Sequence, residues 1–373
     1  MEPSELQLLT SLTAVPILFR MFFGIIVDAK IIRQRKWYVI AANGLCAIPM
    51  LLISTGVTYT PVSMCISLIC YSICTNFLDA VVSSLTVEQA RKDTKNGQED
   101  IQSLNVCFLG ASMTLGSLAA TYLCEIKKPW IAFAITFVHA TVSCIQGFFL
   151  SAELETNEVA TVKDTEVLLH EMEMRRQAAQ RGETDFQLRK PTCCQYFMIK
   201  MRILKQGLKA RPVTKFFSFL IIQGFSMPQF FDFDYYFALD VLKIPLATVN
   251  LQSLYVGWLV VLIPFLYQKF FINKNYSVMF AIAQFTYIIG ESINLFLASR
   301  HNLDLGIPDL VLFFLGGAIA GVIQRGFTFF PSIIMVSKMI PPGVESTMYS
   351  LSITIIALNQ FIIRAIMGVY VND

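Results

Sequence analysis

The fold of this sequence is decided by the stretch Pro16-Ile-Leu-Phe-Arg-Met-Phe-Phe-Gly-Ile-Ile-Val-Asp-Ala-Lys-Ile-Ile-Arg-Gln-Arg-Lys-Trp-Tyr38. Its apolar residues run into a short segment dense in positive charge, which is typical of a cytoplasmic loop between two membrane helices. Gly24 lies four residues before Asp28, a spacing that predicts a close approach of two helices beside a carboxylate that pairs with cations across their interface. We therefore expect an elbow between two membrane spans, with these cations: Lys30, Arg33, Arg35 and Lys36.

The composition of the chain argues against a soluble globular protein. Of its 373 residues, 55% are hydrophobic, 31 are Phe and only 15% are charged, which is more apolar surface than one soluble core can bury. The formal net charge of +3 is too small to indicate a nucleic-acid partner. We expect a polytopic, multi-pass membrane protein that contacts the lipid bilayer, and the sequence does not distinguish a plasma membrane from an organelle membrane.

The sequence has no recognisable site for a metal or for catalysis. Its nine cysteines include no Cys-x-x-Cys pair and fall mostly in apolar runs, which indicates neither a disulfide framework nor a metal site. His139, His170 and His301 have no metal-ligand spacing, and there is no Gly-rich phosphate loop or nucleophile motif. We therefore expect no enzyme activity and no cofactor.

Apolar windows of about 20 residues, the length that crosses a bilayer, recur along the chain. They predict an all-α fold, a polytopic bundle of about ten transmembrane helices in two five-helix halves. The third and ninth spans are long enough to tilt or to project past the membrane. The predicted spans are 7–28, 37–57, 62–86, 102–124, 129–151, 214–239, 246–268, 277–298, 309–337 and 345–370.

One long polar segment divides these spans five and five. We expect an N-terminal helical half over 1–151, a cytoplasmic inter-half loop over 152–212 and a C-terminal helical half over 213–373. Near its end, residues 196–209 mix large apolar side chains with Lys and Arg, which predicts a basic helix lying on the inner leaflet.

The Lys and Arg residues outside the spans orient the bundle, because cytoplasmic loops collect positive charge. Twenty-two, including Lys215 at the very start of the sixth span, lie on the side of the elbow and four on the other side. The elbow side is therefore predicted to be cytoplasmic. The sequon Asn275-Tyr-Ser277 then faces the cytoplasm and stays unmodified, and a glycan there would contradict this orientation.

Ionisable residues inside predicted spans are costly to place in lipid and are therefore the first candidates for a functional site. In the third span, polar residues recur at steps of three and four along one helix face: Ser72, Asn76, Asp79, Ser83 and Thr86. This face lines either a cavity or a helix contact, and the carboxylate of Asp79 favours the cavity. We expect substrate contacts from Arg20, Asp79, Asp232, Arg325 and Arg364.

The helical positions leave alternatives open for some of these residues. Asp232 and Asp234 point in nearly opposite directions on a helix, so only one of them faces the cavity unless the helix is broken before them. Arg364 lies near the outer end of its span, where it either reaches the cavity or extends to the interface. Glu88 lies about half a turn round from Asp79, which predicts a place at the cytoplasmic gate.

Four motifs follow one another along the chain. The first comprises Pro16, Arg20, Gly24, Asp28, Arg35, Lys36 and Tyr38. The second is Asp79-Ala-Val-Val-Ser-Ser-Leu-Thr-Val-Glu88-Gln-Ala-Arg91, and the third runs from Pro228 through Asp232 and Tyr-Tyr-Phe237 to Leu242. The fourth joins Pro331 to Pro341-Pro-Gly-Val-Glu345-Ser-Thr-Met-Tyr-Ser350. Together they resemble the folate–biopterin transporter family of the major facilitator superfamily. Ile17 and Met21 differ from the family's first motif, and Arg20 stands where that motif has Lys.

This resemblance implies twelve spans in two six-helix halves that rock about a central site. The ten predicted spans then correspond to the second to the eleventh, with the first and last helices lacking. It implies an alternating-access secondary transporter of folate, biopterin or related pteridines, with a proton as a possible coupling ion. We assign gating or coupling to Gly24, Asp28, Arg35, Lys36, Glu88, Arg91 and Glu345. Two alternatives stay open: a degenerate carrier that acts as a membrane sensor or scaffold, and a carrier of another organic solute.

Overall fold

The computed structural model describes residues 12–29, 32, 34–57, 60–93, 96–128, 130–150, 193–226, 235–271, 275–340 and 344–372. Within these ranges every regular element is helical and none is a strand. The all-α prediction is therefore confirmed.

The first half of the described chain contains five helices, the first preceded by a 3₁₀ turn over Val15–Phe19. They are α1 (Arg20–Asp28), α2 (Arg35–Ser54), α3 (Pro61–Ala90), α4 (Gly97–Glu125) and α5 (Trp130–Phe148). The start of α3 is fixed locally: the Thr60 hydroxyl accepts a hydrogen bond from the amide of Ser63, whose own hydroxyl accepts one from the amide of Thr60. Pro61 takes the first helical position, where its missing N–H has no cost.

The second half continues with helices of more varied length. They are α6 (Cys193–Lys209), α7 (Arg211–Ser226), α8 (Leu246–Phe270), α9 (Tyr276–Ala298), α10 (His301–Asp304), α11 (Asp309–Val322), α12 (Phe330–Met339) and α13 (Glu345–Asn372). Two π-helical segments interrupt the regular pattern, Phe237–Val241 after α7 and Ile323–Phe329 between α11 and α12. π segments are rare and are often found at functional sites.

The ten predicted spans each coincide with helical chain. Within the described residues six helices are long and apolar enough to cross a membrane, and two further apolar helices, Asp309–Ile319 and Gly326–Met339, are shorter. The third span is longer than predicted, since α3 continues to Ala90. In the sixth span, helix is present on both sides of residues 227–234, which lie outside the described residues.

Contacts between the early and the late helices position the site. Helix α1 packs against α3 and α13, and α4 packs along α8 and against α12. Glycines allow the α4–α8 contact to be close: a Cβ at Gly110 would lie 2.8 Å from the backbone of Val261, and one at Gly257 would lie 2.7 Å from the Thr114 hydroxyl. Small residues permit such close helix packing in membranes. The apolar core of this contact joins Val106 and Val260 to residues of α12.

Candidate functional site

Asp28, the last residue of α1, binds the beginning of α13. Its carboxylate accepts hydrogen bonds from the backbone amides of Ser346 (3.1 Å) and Thr347 (2.7 Å) and from the Thr347 hydroxyl (2.6 Å). The first amides of a helix have no partner within the helix, and they carry the positive end of its dipole. Asp28, only 2% exposed, therefore caps α13 from another helix.

Gly24 lies one turn before Asp28 and brings the two backbones together. A Cβ at this position would lie 2.7 Å from the carbonyl oxygen of Ser346 and 2.8 Å from Cα of Thr347. These neighbours are backbone atoms, which cannot rotate away as a side chain does. The close helix approach that the sequence predicted at Gly24 is therefore present, and its partner is α13.

Two ion pairs surround this cap and extend it. Arg35 at the start of α2 pairs with Glu88 at 2.6 Å, and Arg91 just after α3 pairs with Glu345 at 2.5 Å. Arg91 also donates to the carbonyl oxygen of Ile340. We call Asp28, Arg35, Glu88, Arg91 and Glu345 the elbow cluster; Arg35 and Glu345 are both buried within it.

The partners within the elbow cluster differ from those expected from the sequence. The hydrogen-bond donors to Asp28 belong to α13, which the sequence did not predict. Of the predicted elbow cations, Arg35 is close enough to attract this carboxylate electrostatically. Lys36 lies apart, with its ammonium 5.7 Å from the ring centroid of Trp37. Lys30 and Arg33 lie outside the described residues. A cation–π contact of this kind stabilises by about 0.5–1 kcal/mol at exposed sites. Lys36 therefore adds little to the stability of the elbow cluster.

A second ionic contact lies within the predicted spans. Arg20 donates from Nη1 to Asp79 Oδ2 at 3.3 Å and from Nη2 to the Ser83 hydroxyl at 3.1 Å. The Arg20 side chain is 7% exposed whereas that of Asp79 is 64% exposed. One face of the Asp79 carboxylate is thus bound to α1 and the rest is open. On the same stripe of α3, Asn76 donates within its own helix, to the carbonyl of Ser72.

The other predicted substrate contacts cannot be joined to this pair. Asp232 lies outside the described residues. Arg325 lies in the π segment Ile323–Phe329 and Arg364 lies in α13, but both side chains are outside what the structure describes. Across the described chain, no three His, Cys, Asp or Glu residues lie close enough together to hold a metal ion.

An ion pair that the sequence did not predict joins Glu99 of α4 to Lys338 of α12. Lys338 also donates to the Tyr276 hydroxyl at 3.3 Å. The nearby Gln268 of α8 donates to Asp100 at 3.4 Å. The sign of this contact in the sequence is the pair of acidic residues at the start of α4, Glu99 and Asp100. Charges next to a loop are ordinarily taken to be exposed to solvent, so the pair did not indicate a helix contact.

Gln102, one turn further along α4, is fully buried, and its side-chain amide has no hydrogen-bond partner among the described residues. Burying an unpaired polar group costs about 1–3 kcal/mol. The beginning of α4 therefore carries a buried amide side chain in addition to the Glu99–Lys338 ion pair.

Lys338→Met should loosen the contact between α4 and α12, because it keeps the apolar stem of the side chain but leaves the buried Glu99 carboxylate unpaired. Amide hydrogen exchange over residues 97–104 should quicken about tenfold, as an unpaired charged group costs at least about 1.5 kcal/mol. Lys269→Met, at an exposed lysine over the Phe270 ring, is the matched control. Adding Glu99→Gln to Lys338→Met should restore slow exchange; unaltered exchange in the single variant would contradict the role of the pair.

The chain is similar in sequence to known proteins. The model of the BT1 family matches residues 1–372. The probable folate-biopterin transporter 4 of Arabidopsis thaliana is 22% identical over 391 residues, which cover 95% of this chain and 78% of that protein.

Solved structures of similar fold are transporters of the major facilitator superfamily type. A POT family transporter in complex with a thioalcohol-conjugated peptide is 11% identical, with a TM-score of 0.66 over 99% of this chain and 82% of that one. The proton:xylose symporter XylE is 13% identical, with a TM-score of 0.59 over 97% of this chain and 79% of that one. At such identities the likeness shows the fold alone.

Proposed function

This chain belongs to the BT1 family of multi-pass membrane transporters with the major facilitator fold, and we propose that it carries folate, biopterin or related pteridines by alternating access. The relative from Arabidopsis thaliana supports this class of solute. The observation that carries the proposal is the Arg20–Asp79 pair, an open ionic contact inside the predicted spans. Charged groups at this depth mark substrate and ion pathways.

The Arg20–Asp79 pair fits the chemistry of a pteridine. The guanidinium of Arg20 attracts a carboxylate such as those of folate, and the open side of Asp79 accepts hydrogen bonds from the amino and ring N–H groups of the pterin. Arg325, Arg364 and Asp232 are proposed to complete the site.

The elbow cluster is proposed to be the gate at the cytoplasmic end. Its contacts join α1 and the end of α3 to α13, and α2 to α3, so α1 and α3 must separate from α13 before a path to that side opens. A division into an N-terminal half over 1–151, a loop over 152–212 and a C-terminal half over 213–373 places the cap of Asp28 and the ion pair of Arg91 between the halves. Rocking of two such halves about a midplane site is alternating access.

The proposal is tested by titrating purified full-length protein with folate and with biopterin in a calorimeter. We expect either compound to bind with a dissociation constant between about 1 μM and 1 mM, the usual range for Michaelis constants of metabolites. Each compound should also displace the other. Lys127→Gln, at an exposed lysine on the other side of the bundle, should bind both as the parent does.

Two outcomes would point elsewhere. Binding of a sugar or of an organic anion without a pterin ring, with no binding of either pteridine, would assign another solute. If none of these solutes binds to protein that circular dichroism shows to be folded, a membrane sensor or scaffold would be favoured.

A further inference from the structure

One face of α6, the helix Cys193–Lys209, is built into the protein. Leu204 is 3% exposed and belongs to an apolar cluster that also contains Val213 and Phe216 of α7. Met201 and Leu208, three and four residues to either side of Leu204, pack against the same cluster. Since residues at these steps share a helix face, α6 is held to the bundle along this side.

The cluster under α6 also contains the neighbours of the elbow cluster. Val87 precedes Glu88, and Val344 precedes Glu345; both are buried in this cluster together with Ile340, whose carbonyl accepts from Arg91. The apolar residues that support the gate and those that hold α6 are therefore one packed unit. A force that fixes α6 in place also restrains the backbone that carries the gate.

The outward face of α6 has a different character. Met198, Arg202, Lys205 and Lys209 follow one another at steps of four, three and four residues, which puts them on one face, and all four are exposed. Met198 is 67% exposed, an apolar side chain among cations. This combination is typical of helices that lie in the headgroup region of a membrane with anionic lipids.

The position of α6 places this face at the membrane surface. Helix α7, the start of the predicted sixth span, begins at Arg211, directly after α6 ends at Lys209. The hydroxyl of Thr214 donates to the carbonyl of Leu208 at 2.8 Å and ties the two helices together. Lys215, also exposed, continues the positive charge onto α7.

We propose that the outward face of α6 docks on anionic phospholipid headgroups of the cytoplasmic leaflet, and that this docking stabilises the closed elbow cluster. Each Lys or Arg near an anionic surface strengthens binding severalfold, and the effect disappears within a Debye length. In this proposal, anionic lipid binds more tightly to α6 when α6 is packed against the bundle. By thermodynamic linkage, lipid binding then stabilises the packed position of α6 and with it the closed gate. The inference rests on the proposed gating function for its meaning in transport, but its tests do not need a solute.

The experiment places purified full-length protein in nanodiscs of phosphatidylcholine, with or without phosphatidylserine. Hydrogen exchange over residues 84–93 and 345–352 should be slower in the discs that contain phosphatidylserine. Lys205→Gln with Lys209→Gln should abolish this difference and weaken the affinity for short-chain phosphatidylserine about thirtyfold. Lys127→Gln with Lys128→Gln, at exposed lysines of the opposite end, should leave both unchanged.

Leu204→Ser separates docking from its effect on the gate. This variant should lose the slowing of exchange at the gate but only part of its affinity for phosphatidylserine, because the cations of the outward face are intact while α6 is held less firmly. A loss of affinity as large as that of Lys205→Gln with Lys209→Gln would mean that the outward face has no independent role.

Three results would overturn the proposal. The first is equal exchange in both kinds of disc. The second is the same slowing by soluble glycerophosphoserine, which would assign a free anion. The third is slow exchange in pure phosphatidylcholine that is lost on deleting residues 153–173, which would assign the acidic part of the loop as the partner of α6. Failure to bind pteridines would leave all these readouts in place, so the two proposals fail separately.

Discussion

Asp28→Ala should release the start of α13 from α1 and reduce pteridine uptake to background. Three donors of Ser346 and Thr347 lose their acceptor, and a hydrogen bond to a charged group contributes about 1.5–3 kcal/mol. Even a net loss of about 3 kcal/mol shifts the balance of gate conformations by roughly a hundredfold. The measurement is hydrogen exchange over residues 345–352 together with uptake of labelled folate and biopterin into proteoliposomes.

Two companion variants make the Asp28 result specific. Asp28→Asn keeps one acceptor oxygen and should lie between the parent and Asp28→Ala in both measurements. Asp304→Ala, an exposed aspartate in α10, removes the same charge elsewhere and should behave as the parent. If exchange at the start of α13 were unchanged in folded Asp28→Ala protein, the cap would not hold the gate.

Asp79→Asn is the second substitution for which we expect a near-complete loss of uptake. The neutral amide no longer neutralises Arg20 and, where its NH₂ group replaces an oxygen, presents a donor to the donors of the pterin. We expect affinity for both solutes to fall at least about tenfold, the consequence of losing one charged hydrogen bond. Ser83→Ala, which removes only the neutral partner of Arg20, should cost roughly threefold.

Arg20→Gln separates the two solutes. Folate carries carboxylates and biopterin carries none, so loss of the guanidinium should weaken folate at least about tenfold while biopterin changes much less. Calorimetric titration of the three variants and the parent measures this directly. An equal effect on both solutes would remove Arg20 from carboxylate recognition, and unchanged uptake by Asp79→Asn would remove the pair from the substrate site.

Hydropathy predicted the helices well because bilayer thickness imposes a length on every span. Helix α3 continues to Ala90, beyond the predicted end of its span at residue 86. Hydropathy does not predict this last turn because its residues are polar; the ion pairs of Glu88 and of Arg91, just after the helix, hold it in place. Helical periodicity also separated two carboxylates correctly: Asp79 and Glu88 bind different cations, Arg20 and Arg35.

The partners of the charged residues were beyond a single sequence. The donors that bind Asp28 lie 318 and 319 positions further along the chain, and no local pattern links the two segments. Two of those donors are backbone amides, which every residue other than proline possesses. The ion pair of Glu99 and Lys338 was not predicted for a related reason. Each residue is an ordinary charge near a helix end, and only the fold places the two side chains together.

The use of main-chain donors by Asp28 has an evolutionary consequence. Because two of the three donors to Asp28 are backbone amides, positions 346 and 347 have some freedom to change their side chains: as long as the helix still begins there, a substitution removes at most the hydroxyl of Thr347 from the contact. The carboxylate on α1 has no such freedom, and Gly24 has none either, since a Cβ meets backbone atoms. Selection on this contact therefore falls on one partner much more than on the other, and coordinated substitution of both should be rare among relatives.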